Sequence, residues 1–119
     1  MPDPKCLFCR IAAGELPATI VFQDEEVVAF RDIAPNMPVH IVLVPRVHLE
    51  GLNDLTPDRA PLVGRLALVA KDLVGTLGIA DSGYRLVANC GPDAGQTVPH
   101  LHFHLLGGGA IGPMGGRMA

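Results

Sequence analysis

The sequence predicts an α+β fold built on an antiparallel sheet. Three observations carry that expectation: five short runs rich in β-branched and apolar residues, one long stretch with apolar residues at three- and four-residue steps, and mostly short links between them.

Taken in order, residues 5–13 predict one short helix, ended by Gly14 and Pro17. "ATIVFQD" and "EVVAFRDI" follow as β-rich runs, and the acidic turn Asp24-Glu25-Glu26 between them makes a hairpin. "APNMP" is a proline-punctuated loop, and "VHIVLVP" is a strongly apolar strand that Pro45 stops. The long helix comes next, with Thr56 as N-cap, Pro57 at the first helical position and Asp58 complementing the dipole. Its buried stripe is Leu62, Leu66, Val69, Ala70, Leu73 and Leu77, and Gly78 caps its end. Gly64 and Gly75 each weaken that helix by roughly 1 kcal/mol relative to alanine, and are read as room for a strand to approach closely. "GYRLVANC" is a fourth strand, "GPDAGQT" a flexible glycine-bearing loop, and the histidine stretch "HLHFHLL" the last strand. With no internal repeat or linker, residues 1–119 are read as one domain.

Composition narrows the function classes. The nine Lys and Arg are spread along the chain without a cluster, and the net charge is −3, which argues against a nucleic-acid binder. A small phosphate ligand remains open, because glycine-loop amides can hold one phosphate without a basic patch. "MPDPKCLFCR" shows no signal-peptide pattern. Residues 94–116 lack formal charges, but histidines, glycines and prolines break them up, so no membrane span is expected. Three cysteines, an odd number, suit a reducing cytoplasm better than a disulfide framework. The 49% hydrophobic content fits a core plus a subunit interface.

In an extended segment His100, His102 and His104 share one face, and Leu101, Phe103 and Leu105 share the other and would pack on the long helix. Three readings of the imidazole row stand open: a polar outer face, a metal site, and nucleophilic catalysis on phosphorus. One ion reached by all three from an extended strand is geometrically poor, and the strand offers no carboxylate for a catalytic iron. The glycine-rich flanks favour phosphorus chemistry, because glycine lets backbone approach phosphate oxygens closely. "Cys6-Leu-Phe-Cys9" has zinc-ligand spacing, which alone is weak evidence.

"HLHFHLL" resembles the His-φ-His-φ-His-φ-φ signature of the histidine triad (HIT) family, where φ is apolar. "GYRLVANCGPDAGQTVPHLHFHLLGG", "VVAFRDIAPNMPVHIVLVPRVH" and "CLFCRI" extend the likeness to the Hint branch, the purine nucleoside phosphoramidases, over nearly the whole chain. The resemblance implies a HIT-like fold with a five-stranded antiparallel sheet, one long and one short helix, dimerised into a continuous sheet. It implies hydrolysis of purine nucleoside 5′-phosphoramidates, AMP or possibly GMP linked to an amine, through a covalent nucleotidyl-histidine.

The family pattern assigns the nucleophile to His102, and a backbone carbonyl would fix its tautomer. Imidazole suits the task, since its ordinary pKa of about 6.5 leaves much of it neutral at pH 7. His104 and His40 match positions that contact the phosphate or support the nucleophile, with His40 reaching across from the neighbouring strand. Gln96 and Thr97 match the phosphate and leaving-group side, beside Gly95. Thr97 keeps the hydroxyl where many Hint relatives have serine. Asp32 matches the carboxylate that binds the ribose hydroxyls; Phe8, Ile11, Phe30, Ile33 and Val42 match apolar positions around base and sugar, and Asn89 a polar phosphate-side residue. Some HIT proteins bind a structural zinc through positions that here are Cys6, Cys9, His48 and His100, and no catalytic metal is implied. Cys90 is read as a buried thiol near the phosphate loop.

The chain departs from animal Hint proteins in its tail, "GGGAIGPMGGRMA", which has no tryptophan and carries Gly109 where arginine is common. That leaves leaving-group preference open and points to a bacterial origin. The rival functions are a dinucleoside polyphosphate hydrolase of the Fhit type, a purine-nucleotide binding or regulatory module with little turnover, and a metalloenzyme built on the three histidines.

Overall fold

The structure, a computed structural model, describes residues 3–114. These residues form a short helix α1 (Leu7–Ala12), strands β1 (Ile20–Gln23), β2 (Val27–Arg31) and β3 (Val39–Pro45), a long helix α2 (Ala60–Thr76), and strands β4 (Tyr84–Val87) and β5 (Phe103–Gly107). The strands make one five-stranded sheet in the order β1-β2-β3-β5-β4, and each neighbouring pair is antiparallel.

The sheet is covered on both faces, which explains why β3 is apolar nearly throughout. Ile41 and Leu43 join Val27, Ala29 and Leu105 on one face, where Leu66, Val69, Ala70, Leu73 and Val74 of α2 pack against them. Val42 and Val44 join Val28 and Phe30 on the other face, against Cys6, Phe8 and Cys9. The period-two alternation of β3 therefore sends His40 to the α1 face and Ile41 to the α2 face. The hairpin between β1 and β2 closes as expected, with Asp24 Oδ1 accepting from the N–H groups of Glu26 and Val27.

Several local expectations are corrected. Pro57 opens a 3-10 turn, Pro57–Arg59, and the α-helix begins only at Ala60. Thr56 caps that turn, but its hydroxyl bonds to the Asp58 carboxylate instead of a backbone N–H. Val74 takes a place in the buried stripe, while Leu77 is only half-buried where the helix ends. Gly78, at φ +73°, does close the helix: its N–H reaches the Gly75 carbonyl and the Ile79 N–H that of Val74. Gly64 and Gly75 are exposed, and a Cβ at either would meet open space, so no strand approaches them. Cys90 is half-buried, beyond the end of β4.

The last strand starts at Phe103, so only His104 of the three histidines lies in β5. His100 and Leu101 turn their N–H groups to Val98 and Leu49 carbonyls instead of to a strand ladder. Leu105, with Phe103 at its margin, packs on the α2 face as expected. No helix among the described residues is long and apolar enough to cross a membrane.

Candidate active site and metal cluster

The polar-outer-face reading of the histidines fails on burial: His40, His100, His102 and His104 are all buried, at 2%, 0%, 6% and 6% exposure. Buried imidazoles need hydrogen-bond partners, and those partners divide the histidines into two groups.

His102 Nδ1 lies 2.7 Å from the main-chain carbonyl oxygen of His100. A carbonyl only accepts, so Nδ1 carries the proton and Nε2 keeps its lone pair. Phe8 sits edge-on to this ring at a centroid distance of 5.0 Å. Burial pushes the His102 pKa down against the opposing help of the His100 carbonyl and Asp32, which favours the neutral, nucleophilic form.

His104 and His40 form a directed relay. The main-chain N–H of Asn36 donates to His40 Nδ1 at 3.0 Å, so His40 carries its proton on Nε2. That Nε2–H lies 2.8 Å from His104 Nδ1 and 3.5 Å from Asp32 Oδ2, and the shorter contact makes His104 the acceptor. His104 is then left with a protonated Nε2. Its pKa is pushed down to about 4, first by burial and then by His102 and His40, with Asp32 opposing. Burial likewise lowers His40.

Asp32, His40 and His104 have potential ligand atoms within 4.8 Å of one another. With Asn36 donating to Nδ1, however, His40 has no lone pair at Nε2 for a metal. This carboxylate and these two imidazoles therefore suit a hydrogen-bond relay better than a metal site.

A cleft of roughly 430 Å³ opens beside these rings, lined by His102, His104, Thr97, Gly95, Asp32, Ile33, Phe8, Ile11, Phe30 and Val42 among others. Ten of the residues assigned to the nucleotide site by the family pattern thus converge here. Gly95 adopts φ +83°, a backbone conformation that suits glycine, where the loop lines the cleft. Asp32 is braced by the Ala34 N–H, which donates to its Oδ1. Ile33 is 97% exposed at the rim.

Asn89 and Gln96 are not among the lining residues. The Gln96 amide is engaged elsewhere: Oε1 accepts from the Gly91 N–H at 2.9 Å, and Nε2 donates to the Glu50 and Val98 carbonyls at 2.7 and 3.1 Å. It ties the two ends of the loop from Gly91 to Val98 to each other and to the Glu50 segment. Sequence reasoning missed Leu7, Leu16, Pro17, Ala18, Arg31 and Val98 as lining residues. Pro17 reads in sequence as a helix stop and Ala18 as the start of a β-rich run, with no pattern across Leu16-Pro17-Ala18 to reveal the face it presents.

His100 belongs to the second group. Cys6 Sγ and Cys9 Sγ lie 3.2 and 3.4 Å from His100 Nδ1, and His48 Nδ1 lies 3.2 Å from it. Cys9 Sγ is also 3.4 Å from His48 Nδ1. A tetrahedral ion with two sulfur and two nitrogen ligands would hold its donors about 3.3–3.8 Å apart, so the cluster fits one with little adjustment. His100 Nε2 donates to the Pro45 carbonyl at 2.8 Å, which leaves the Nδ1 lone pair facing the cluster. Burial lowers the His100 pKa to about 4, keeping that lone pair free. Burial also raises the Cys9 thiol pKa, a cost that a bound cation would offset.

The chain matches the HIT domain over residues 13–110. It is 43% identical over 108 residues to the purine nucleoside phosphoramidase of Escherichia coli (strain K12), covering 91% of each chain. A HIT family hydrolase from Legionella pneumophila superposes with a TM-score of 0.92 at 44% identity, over 94% of this chain and 100% of that one. A zinc-bound histidine triad family protein from Mycobacterium smegmatis superposes with a TM-score of 0.76 at 30% identity, over 86% and 73%.

Proposed function

The chain belongs to the HIT family and is a hydrolase of that family, and we propose that it cleaves purine nucleoside 5′-phosphoramidates through a nucleotidyl-His102 intermediate. The observation that carries the reading is the His102 ring, held by the His100 carbonyl with its unprotonated Nε2 beside the cleft.

The chemistry follows from the tautomers. His102 Nε2 attacks the α-phosphorus and the bond to the amine breaks. The new P–N bond replaces the old one, so the covalent step is nearly balanced. The attacking ring keeps its Nδ1 proton and becomes cationic, and the His100 carbonyl steadies that charge. His104 Nε2–H and the Thr97 hydroxyl offer donors to phosphoryl oxygens, and the departing amine takes a proton from water in the open cleft, which the hydrolysis step returns to solvent. Water entering the open cleft then releases the nucleoside monophosphate and restores His102. Asp32 takes the ribose hydroxyls, and Phe8, Ile11, Phe30, Ile33 and Val42 enclose the base and sugar. This reading is supported by the name of the E. coli relative at 43% identity.

Cys6, Cys9, His48 and His100 hold a structural zinc in the same reading, supported by their spacing and by the zinc-bound M. smegmatis relative. When bound, the ion would cross-link α1 to the segments after β3 and before β5. The protein works as a cytoplasmic homodimer of single-domain subunits; support for the interface comes from the sheet edge at β4 and the exposed apolar Tyr84 and Leu68.

The test is turnover of an adenosine 5′-phosphoramidate by wild type and His102→Gln. The reading expects AMP release by wild type and a loss of at least 10³-fold in the variant, as for removal of a nucleophile. Binding of AMP without turnover would favour a regulatory module. Preference for a diadenosine polyphosphate would favour the Fhit type.

A further inference from the structure

His100 stands in both groups of buried side chains at once. Its ring faces Cys6, Cys9 and His48 through Nδ1. Its main-chain carbonyl is the acceptor that sets the tautomer of His102. Its remaining polar atoms are also fixed: Nε2–H donates to the Pro45 carbonyl and the main-chain N–H to that of Val98, both at 2.8 Å. A shift of this residue therefore moves the nucleophile's partner with it.

A second connection runs through α1. Cys6 caps this helix, its Sγ accepting from the Cys9 N–H at 3.4 Å. A six-residue helix has no independent stability, so its place depends on tertiary ties. Those are the contacts of Cys6 and Cys9 with the histidines, the Arg46 Nη1 bond to the Ala12 carbonyl at 2.6 Å, and apolar packing. Between the cysteines stands Phe8, whose ring is 5.0 Å from His102, 6.0 Å from His100 and 5.5 Å from Phe30. Phe8 and Ile11 are walls of the cleft. The two cysteines and the two cleft walls thus share fewer than two turns of helix.

We infer that His100 is a positioning residue through which zinc occupancy of the Cys6-Cys9-His48-His100 cluster controls the orientation of His102 and the α1 wall of the nucleotide cleft. The inference rests on the proposed zinc site and on His102 as nucleophile. Without a cation, the cluster is held by thiol and imidazole contacts alone, and S–H is a weak donor. With the four ligands drawn to one centre, His100 and α1 have a common anchor. Loss of the ion loosens both ends of the coupling: the His100 carbonyl no longer holds one His102 tautomer, and Phe8 no longer closes the wall.

The experiment compares zinc-loaded wild type, the same protein stripped with a chelator and checked by metal analysis, and stripped protein given back zinc chloride. A Cys9→Ser variant, checked for cooperative unfolding, forms a fourth arm that zinc chloride should fail to restore. The readouts are the ring ¹⁵N shifts of His102, AMP affinity and kcat. Stripping is expected to turn the single His102 tautomer into an averaged one, weaken AMP binding and lower kcat by about tenfold or more, the scale of outer-shell support. Zinc chloride should restore all three in wild type. Stripped protein that keeps the ¹⁵N pattern, AMP affinity and kcat of the loaded form would overturn the inference, as would a chain that takes up no zinc. Loaded protein that fails to cleave phosphoramidate would defeat the phosphoramidase reading alone, because the ¹⁵N shifts and AMP affinity still judge the coupling.

Discussion

Asn36 gives its main-chain N–H to His40 Nδ1 at 3.0 Å, and this bond sets the direction of the protons from there to the cleft. His40 must donate onward from Nε2, and His104 must accept at Nδ1. His104 then offers an N–H where His102 offers a lone pair, so the adjacent rings, with centroids 5.0 Å apart, present opposite hydrogen-bonding characters.

Replacing His40 by alanine removes the donor that holds His104 in this tautomer. His104→Ala should remove the same donor directly. Both are expected to lower kcat by about 10- to 100-fold with a smaller change in KM, the pattern of a group that acts in the transition state. Steady-state kinetics on an adenosine phosphoramidate checks this; an unchanged kcat in His40→Ala would show that the relay plays no part.

Asp32 carries a more selective prediction. If its carboxylate binds the ribose diol, Asp32→Asn should raise KM for a ribonucleoside substrate by roughly tenfold, the worth of one charge-assisted hydrogen bond. A 2′-deoxy substrate should lose less on the same substitution, because one partner is already gone. The two losses measured together form a double-mutant cycle, and simple additivity would place Asp32 away from the ribose.

Gln96 should behave as a brace. Gln96→Ala leaves the Gly91 N–H and the Glu50 and Val98 carbonyls without their side-chain partner. The expected stability loss is about 1–3 kcal/mol by urea unfolding. A variant as stable as wild type but impaired in nucleotide binding would instead return Gln96 to the ligand set.

Acid should destabilise the fold through the buried rings. His104 sits at about 4 in the folded chain against an ordinary value near 6.5. The unfolded chain therefore binds more protons between those values, and folding stability rises with pH across that window. The contribution is present above about pH 6.5 and fades as pH falls toward 4, amounting to roughly 3 kcal/mol for a shift of this size. Urea midpoints at several pH values for wild type and His104→Gln should differ in slope within this window and run parallel above it.

Much of this fold was legible because burial leaves periodic marks. The α2 stripe of Leu62, Leu66, Val69, Ala70 and Leu73 and the two-sided burial of β3 both follow from side-chain direction. The alternation of His100, His102 and His104 marked the site, whereas the cluster of Cys6, Cys9, His48 and His100 was legible only through the family resemblance, the Cys6-x-x-Cys9 spacing alone being weak. What stayed hidden was carried by backbone. The start of β5 at Phe103 depends on where the His100 and Leu101 N–H groups go, and the direction of the relay depends on a main-chain N–H whose donor could be almost any residue. The 3-10 entry to α2 and the cleft wall at Leu16-Pro17-Ala18 are likewise products of tertiary packing, with no pattern of their own. Alternation alone leaves the three imidazoles equivalent; the family resemblance divides them, and the structure likewise brings His100 to the cysteines and leaves His102 and His104 at the cleft.

The most direct measurement is to mix the protein with an adenosine phosphoramidate, quench on the millisecond scale at alkaline pH, and locate the modification by mass spectrometry. The account predicts a transient adenylate on His102, formed and lost at rates compatible with turnover and absent from His102→Gln. Turnover with no adduct on any histidine, or an adduct on His104 in place of His102, would contradict it.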